Sequence, residues 1–310
     1  MSKRIVTLTV NPALDIAMQA NEVRPGHKMR TRGATYDPGG GGINVSRVIH
    51  ALGGDTLALL AIGGCTGRFI EEMLGEAGVP CQAVTVPGTT RVSLTVQETS
   101  SGAEYRFVPE GAMLEPSDAE RFLSLLADVR ADWLVASGSL PPGFPADFYA
   151  QVARLARRRD IRFALDTSGL ALQAALHQGV DLLKTSLGEF QSIVGTKASD
   201  DDALAQEASH LAASGAASMV ALTLGERGAI VATSEYRLVQ PALRVPVRST
   251  VGAGDSFLAG LVLGLARQKP AVEALRFAIA AGAAALMGRG TARVTREQVE
   301  TLLADALLQA

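Results

Sequence analysis

Apolar positions along the chain recur with a period that switches between two and about 3.6, with turns rich in Gly, Pro and Asn between the runs. Ile5 to Val10 reads as a strand closed by Asn11-Pro12. Val23 to Tyr36 is polar and basic, with Arg24-Pro25-Gly26 as a turn and an alternation from His27 onward that fits a half-exposed strand. Four glycines, Gly39 to Gly42, run into an amphipathic helix that stops at Gly53 and Gly54. A strand at Leu57 to Ile62 and a helix at Gly67 to Ala77 follow. Val92 to Glu98 and Glu104 to Val108, on either side of a Ser-Ser-Gly turn, form a hairpin.

From about residue 115 helices and strands alternate. The helices are Ser117 to Asp128, Pro145 to Arg158, Leu170 to Leu176, Gly188 to Val194 and Asp201 to Ser214. The strands are Trp133 to Ser137, Arg162 to Asp166, Leu182 to Lys184 and Met219 to Leu224. A β ribbon from Ala229 to Val239 comes next, and the tail from Gly254 is helical. Such βαβ repetition argues for a mainly parallel sheet covered by helices on both faces. Residues 15 to 37 share their alternation with the hairpin, so the two pieces are expected to form one small antiparallel sheet outside the main body. The expected division is a core of residues 1–12, 38–90 and 109–310 and a discontinuous β lid of residues 13–37 and 91–108.

Composition narrows the function. With 310 residues a sizeable core can form, and 47% hydrophobic with 19% charged residues is ordinary for a globular protein. A net charge of -2 removes the usual argument for a nucleic-acid or membrane-surface partner, so any anion site must be local. Two cysteines, Cys65 and Cys81, and four scattered histidines show neither a disulfide framework nor zinc-ligand spacing. The N-terminus does not read as a signal peptide and no apolar run reaches about 18 residues, so a cytoplasmic location is expected.

Two glycine clusters carry the candidate chemistry. In Ser249-Thr-Val-Gly-Ala-Gly-Asp-Ser-Phe257, Gly252 and Gly254 allow successive N–H groups to converge at the start of a helix, which adds its own unpaired donors and partial positive charge. Asp255 at the edge of that anion pocket could deprotonate a hydroxyl while the amides hold the charge growing on a transferred phosphoryl group. The plain alternative is Asp255 as a helix N-cap. The second cluster, Asp37 to Arg47, again puts flexible backbone before a helix, with Asn44 placed to bond hydroxyls. Neither cluster has Walker A or dinucleotide-fingerprint spacing. Two glycine runs at helix starts with basic residues between them favour a phosphate-transfer site.

These segments resemble the two signatures of the PfkB/ribokinase-like family of sugar kinases: Gly39 to Arg47 the first, Ser249 to Gly260 the second. The opening Thr7-Leu-Thr-Val-Asn-Pro-Ala-Leu-Asp15 is similar to the phosphofructokinase and tagatose-6-phosphate kinase branch. The resemblance runs from about residue 3 to residue 305. It implies a ribokinase-like three-layer α/β/α sandwich with a mainly parallel central sheet and a small antiparallel β lid. It also implies Asp255 as catalytic base with Gly252, Ala253 and Gly254 as the anion hole. Asp15, Gly40, Gly41 and Asn44 would hold the sugar, with Ser139 nearby. Lys184, Thr223, Gly225 and Gly228 fall where the family binds ATP, and Gly282, Gly288 and Gly290 would flank the adenine. Val251 and Gly290 would hold a monovalent cation, K+, through backbone.

The resemblance has one departure: the family carries Lys-Pro before Asn-x-x-Glu to organise Mg2+ through water, whereas this chain reads Lys184-Thr185-Ser186-Leu187-Gly188-Glu189. Glu189 is kept, and the Ser186 hydroxyl has a shorter reach than an amide. Gly288 also replaces a polar residue beside the nucleotide. Lys28, Arg30, Arg91 and Arg106 lie on or beside the lid and are candidates for an acceptor phosphate, which demands charge-assisted partners. Gly41 stands where 1-phosphofructokinases and tagatose-6-phosphate kinases carry lysine. Fructose 6-phosphate, phosphorylated at its 1-hydroxyl by ATP, is therefore the expected reaction, with those two activities as alternatives. Two remoter readings are a kinase of an unphosphorylated sugar or nucleoside and a sugar-phosphate-binding regulator without catalysis. Apolar lid residues such as Val92, Leu94 and Val96 need cover, which predicts a homodimer through the lid.

Overall fold

The computed structural model describes residues 3–195, 197–288 and 290–308. Nine strands form the central sheet: β1 (Arg4–Thr9), β4 (Asp55–Ile62), β5 (Cys81–Thr85), β8 (Trp133–Ser137), β9 (Arg162–Asp166), β10 (Val180–Ser186), β11 (Ala217–Thr223), β12 (Ala229–Ala232) and β13 (Arg237–Gln240). Their spatial order is β13-β12-β11-β10-β9-β8-β1-β4-β5, parallel from β5 to β11 and antiparallel in the β11–β12 and β12–β13 pairs at the edge. The parallel strands have nearly continuous apolar runs because both faces are covered. Val6, Leu8, Leu134, Ala136, Phe163, Leu165, Val220 and Leu222 face one helical layer, made of α3 (Pro116–Asp128), α4 (Phe148–Arg158), α5 (Gly169–Gln178), α6 (Leu187–Val194) and α7 (Asp201–Ala213). The alternate residues Ile5, Trp133, Val135, Ala164, Leu182 and Ala221 face the other, made of α1 (Gly41–Ala51), α8 (Ala253–Ala266), α9 (Ala271–Met287) and α10 (Arg296–Leu308). A further helix, α2 (Gly64–Glu76), packs under the β4–β5 end through Ile70 and Leu74.

Helices α8 and α9 pack closely because Gly260 and Gly264 present bare backbone to Ala278 and Ala274; a methyl on either glycine would stand within about 3.0 Å of those alanines. This packing fixes where the first turn of α8 points. After β1 the chain builds outward to β4 and β5, then returns to β8 on the other side of β1. That reversal opens a crevice at the carboxyl ends of the strands, where ligands of open α/β sheets bind.

The lid is a four-stranded sheet of order β3-β2-β6-β7, with β2 (Ala13–Ala20), β3 (Thr31–Gly39), β6 (Arg91–Glu98) and β7 (Glu104–Phe107). Its outer pairings are antiparallel, as hairpin logic expects, and the central β2–β6 pair is parallel. The chain leaves the lid at Gly39, passes through α1, β4, α2 and β5, and re-enters in the same direction at Arg91. Strand pairing sorts its residues onto two faces. Leu14, Ile16 and Met18 pair with Val92, Leu94 and Val96, and Tyr36 and Phe107 lie opposite Ile16 and Leu94 on the same outer face. Asp15 pairs with both Asp37 and Ser93, and Arg106 with Thr95, on the face turned to the crevice.

Candidate active site

Four carboxyl ends of the central sheet and the first turn of α8 converge on one place. Ser137 ends β8, Asp166 ends β9, Lys184 and Ser186 close β10, and Thr223 ends β11. Opposite them the chain turns through Gly252, whose φ of +80° favours glycine and where a methyl would stand 2.7 Å from Ala292. Helix α8 starts at once, with no side-chain cap, so its leading N–H groups face the crevice. Asp255 therefore does not cap this helix, which removes the plain alternative for that residue.

Asn44 Nδ2, on α1, donates to Asp255 Oδ2 at 2.8 Å, and the Ser137 hydroxyl lies 3.5 Å from Oδ1. Burial, with the charge of Asp166 adding to it, pushes the Asp255 carboxyl up to about 6 against the opposing pull of Asn44, Lys184 and Ser137. A carboxylate of that basicity suits proton abstraction near neutral pH. Lys184 Nζ contacts Asp166 Oδ2 at 2.9 Å, both side chains nearly buried. Burial works against the ammonium, yet Asp166 first, then Asp255 and Glu189, holds its pKa above the usual lysine value. A methyl on Gly254 would stand 3.0 Å from that Nζ, so the Lys184 cation sits directly over the first turn of α8. Cation and helix N-terminus together make a strong anion cradle.

Two cavities meet at this turn. The larger, about 700 Å³, is lined by Thr223, Gly225, Gly228, Gly282, Ala253 and Gly254 from the residues expected here, with Leu243, Val245, Val247, Ile279 and Leu286 as an apolar wall. The smaller, about 240 Å³, is lined by Asp15, Gly40, Asn44, Arg91, Arg106, Val251, Gly252 and Asp255. Thr250 lines both, so the segment 250–255 is the wall between them.

Several expected residues stand elsewhere. Lys28 and Arg30 lie in the exposed connection between β2 and β3 and do not line the smaller cavity, because the strand expected from His27 onward begins only at Thr31. Gly41 sits under Ser137, whose hydroxyl a side chain there would overlap. Ser139 is exposed and takes a hydrogen bond from Asn11 Nδ2 at 3.3 Å. Gly288 closes α9 and packs on the backbone of Arg293, outside the larger cavity. The Arg91 guanidinium lines the cleft but donates to the carbonyls of Asn11, Pro12 and Pro109, so its main role here is to tie the lid root to the core. Ser186 and Glu189 form a capping box on α6: the Ser186 hydroxyl and N–H donate to Glu189 Oε2 at 2.7 and 2.8 Å. Although burial opposes it, those bonds hold the Glu189 carboxyl below its usual value.

Sequence reasoning missed Asp166 and Ser137. Both end strands beside the crevice, and their position at carboxyl ends of a parallel sheet was the available signal. It also missed Thr291, Asp37 and Arg293. Asp37 is buried and takes Arg293 Nη2 at 3.0 Å and Arg47 Nη2 at 3.4 Å.

Acidic groups here fit a hard cation. Asp166 and Glu189 flank Lys184 at the floor, and burial lifts the Asp166 carboxyl, Glu189 adding to it, as expected where negative charges are crowded. No cluster of three or more His, Cys, Asp or Glu that could hold a metal occurs among the described residues. Mg2+ ordinarily keeps several waters and takes one or two carboxylates plus phosphate oxygens, so such a site needs no full protein cage. For the second candidate cation, the Val251 carbonyl receives only a long bond, 3.4 Å, from Ala292 N–H, and Gly290, with φ +96°, packs its backbone against Asp37.

Among the described residues no helix is long and apolar enough to cross a membrane. ATP-dependent 6-phosphofructokinase isozyme 2 of Mycobacterium tuberculosis is 42% identical over 299 residues, covering 96% of this chain and 88% of that protein. The enzyme of the same name from Escherichia coli is 36% identical over 303 residues, covering 97% and 98%. The crystal structure of Escherichia coli phosphofructokinase-2 in complex with potassium superposes with a TM-score of 0.93 at 35% identity over 98% of this chain and 99% of that one. The same Escherichia coli protein has been solved in complex with fructose-6-phosphate and as a tetrameric inhibited form. The pattern of the pfkB family of carbohydrate kinases matches residues 9–298, and with these relatives it establishes that the chain belongs to that family.

Proposed function

We propose that this chain transfers the terminal phosphoryl group of ATP to the 1-hydroxyl of fructose 6-phosphate. One observation carries the reading: two cavities of unequal size and chemistry are separated by a single wall, residues 250–255, that holds both the Asp255 carboxylate and a helix N-terminus. The larger cavity has the size and apolar lining of a nucleotide site. The smaller has hydroxyl-binding carboxylate, amide and cation groups, Asp15, Asn44 and Arg106. Phosphoryl transfer needs little covalent chemistry from the protein; it needs alignment and charge stabilisation.

Asn44 fixes the Asp255 carboxylate, which accepts the proton of the acceptor hydroxyl as that oxygen attacks. Negative charge on the migrating group falls between the N–H groups of Gly252 to Asp255 and the Lys184 ammonium. Asp166 keeps Lys184 charged and fixed in place. Mg2+, when bound, would be held by Asp166 and Glu189 and would offset phosphate charge. A monovalent cation near Val251 and Gly290 would steady the same wall. Arg106 is the freest cation of the smaller cavity for the acceptor's 6-phosphate, since Arg91 is committed to carbonyls. Gly41 and the names of the relatives at 42% and 36% identity support fructose 6-phosphate over its isomers.

The outer lid face supports a homodimer. Phe107 is 57% exposed and Tyr36 nearly half exposed, opposite Leu94 and Ile16. A second copy of the same face is the simplest cover.

Initial rates of ADP release with ATP and fructose 6-phosphate, fructose 1-phosphate, tagatose 6-phosphate, fructose and ribose test the assignment. Fructose 6-phosphate should give the highest kcat/KM. A higher value for another sugar moves the assignment to that substrate, and saturable sugar-phosphate binding without ADP release overturns it.

A further inference from the structure

Asp15 and Asp37 are paired directly across β2 and β3; Asp37 is buried and Asp15 half-buried at the edge of the smaller cavity. Like charges so placed repel. Asp37 has its own cations, Arg293 and Arg47. Asp15 has no ion pair within 4.0 Å among the described residues: Arg91, Arg106 and Arg47 act on it only from a distance. Its carboxylate lies against the bare backbone of Gly39, where any side chain would overlap it.

The group that lies between the two acids is Thr291, itself only 5% exposed. Its hydroxyl donates to Asp15 Oδ2 at 3.3 Å and its N–H donates to Asp37 Oδ2 at 3.3 Å. Its carbonyl accepts from Arg47 Nη1 at 3.0 Å, and the same Arg47 nitrogen lies 3.4 Å from the oxygen of Asn44, the partner of Asp255. The next residue, Ala292, has a φ of +50°, unusual for alanine, and bonds the Val251 carbonyl while filling the space beside Gly252. Every polar group of Thr291 is thus spent on a different element: β2, β3 and α1, with its neighbour seated on the turn before α8.

We propose that Thr291 is a positioning residue for the acceptor sugar: its hydroxyl sets the rotamer and charge of Asp15, and its backbone registers that carboxylate against Asn44 and the anion cradle. This rests on the reading that Asp15 accepts sugar hydroxyls. A neutral donor suits this place, because a cation would compete with the sugar for Asp15, whereas one hydroxyl occupies one oxygen and leaves the other free. The arrangement sets acceptor affinity and alignment and leaves the nucleotide cavity untouched, since Thr291 does not line it.

Three variants test it, each with KM for the sugar phosphate and for ATP measured separately. Thr291→Val keeps shape and backbone and removes only the hydroxyl. It should raise the sugar-phosphate KM about tenfold, with KM for ATP within twofold, as loss of a hydrogen bond to a charged group implies. Thr291→Ser should restore the wild-type value to within about twofold. Asp15→Asn is the control. If Asp15→Asn leaves the sugar KM unchanged, the reading of Asp15 fails and this proposal falls with it. If Asp15→Asn raises the sugar KM but Thr291→Val does not, or if Val and Ser behave alike, the role of Thr291 alone is overturned. A melting temperature for each variant identifies any loss due to unfolding, and a Thr291→Val protein that melts as wild type while keeping its sugar KM refutes the proposal outright.

Discussion

Asp255 shows what burial does to one carboxylate. Because its pKa is lifted to about 6 in the folded state, from 3.8, the protein binds that proton more tightly than the unfolded chain does. Its contribution to stability is therefore greatest below about pH 3.8 and is lost as pH rises to about 6. The free base exists only above that range, so kcat/KM should fall about tenfold per pH unit below about 6 and level off above it. A profile flat down to pH 5 would contradict the assignment of the base. Exchanging the carboxylate for an amide removes a buried charge while keeping an oxygen for Asn44. Asp255→Asn should then raise stability at pH 8 by about 2 kcal/mol in denaturant unfolding. At this scale the sequence was informative where backbone demanded glycine beside a charge, as at Gly252 and Asp255. It was silent on Ser137, Asp166 and Thr291, which look like ordinary strand-end or loop residues until the topology brings them together.

The element that matters most is the turn from Thr250 into α8. Its geometry depends on Gly252 at φ +80° and on Ala292 packed against it. Gly252→Ala both strains the backbone and collides with Ala292, and should cut kcat at least a hundredfold while costing about 1–3 kcal/mol in stability. Turnover within tenfold of wild type would show that the turn is not the anion cradle. Most elements were legible, because amphipathic periods and glycine stops set their type. Strands β2 and β5 were not: Ala13–Ala20 mixes faces with an irregular register near Ala17, and Cys81–Thr85 is a short edge strand with few buried residues. The parallel β2–β6 pair was also beyond local pattern, since it depends on a crossover through the core.

On the scale of the whole molecule, the lid has a polar face turned to the crevice and an apolar face turned away. The second face predicts assembly. Phe107→Asp should convert a dimer at micromolar concentration into monomers by sedimentation velocity; a wild-type chain that is already monomeric there would refute lid pairing. Lys28 and Arg30 were expected at the sugar from their charge and their place on or beside the lid strands; they lie in the exposed connection between β2 and β3, and charge does not say which way a loop carries it. The mainly parallel sheet and its helical cover followed from the alternation of strands and helices, while the strand order, the crevice and the closeness of residues 37, 47, 255 and 291 required three dimensions.

Proton abstraction by Asp255 at the N-terminus of α8 is most directly tested by measuring ADP release by Asp255→Asn at saturating ATP and fructose 6-phosphate, with sugar-phosphate affinity measured on the same preparation by calorimetry. Turnover should fall by a factor of about 10² to 10⁴ while affinity stays within a few-fold of wild type. Turnover within tenfold of wild type, with affinity unchanged, would contradict the mechanism.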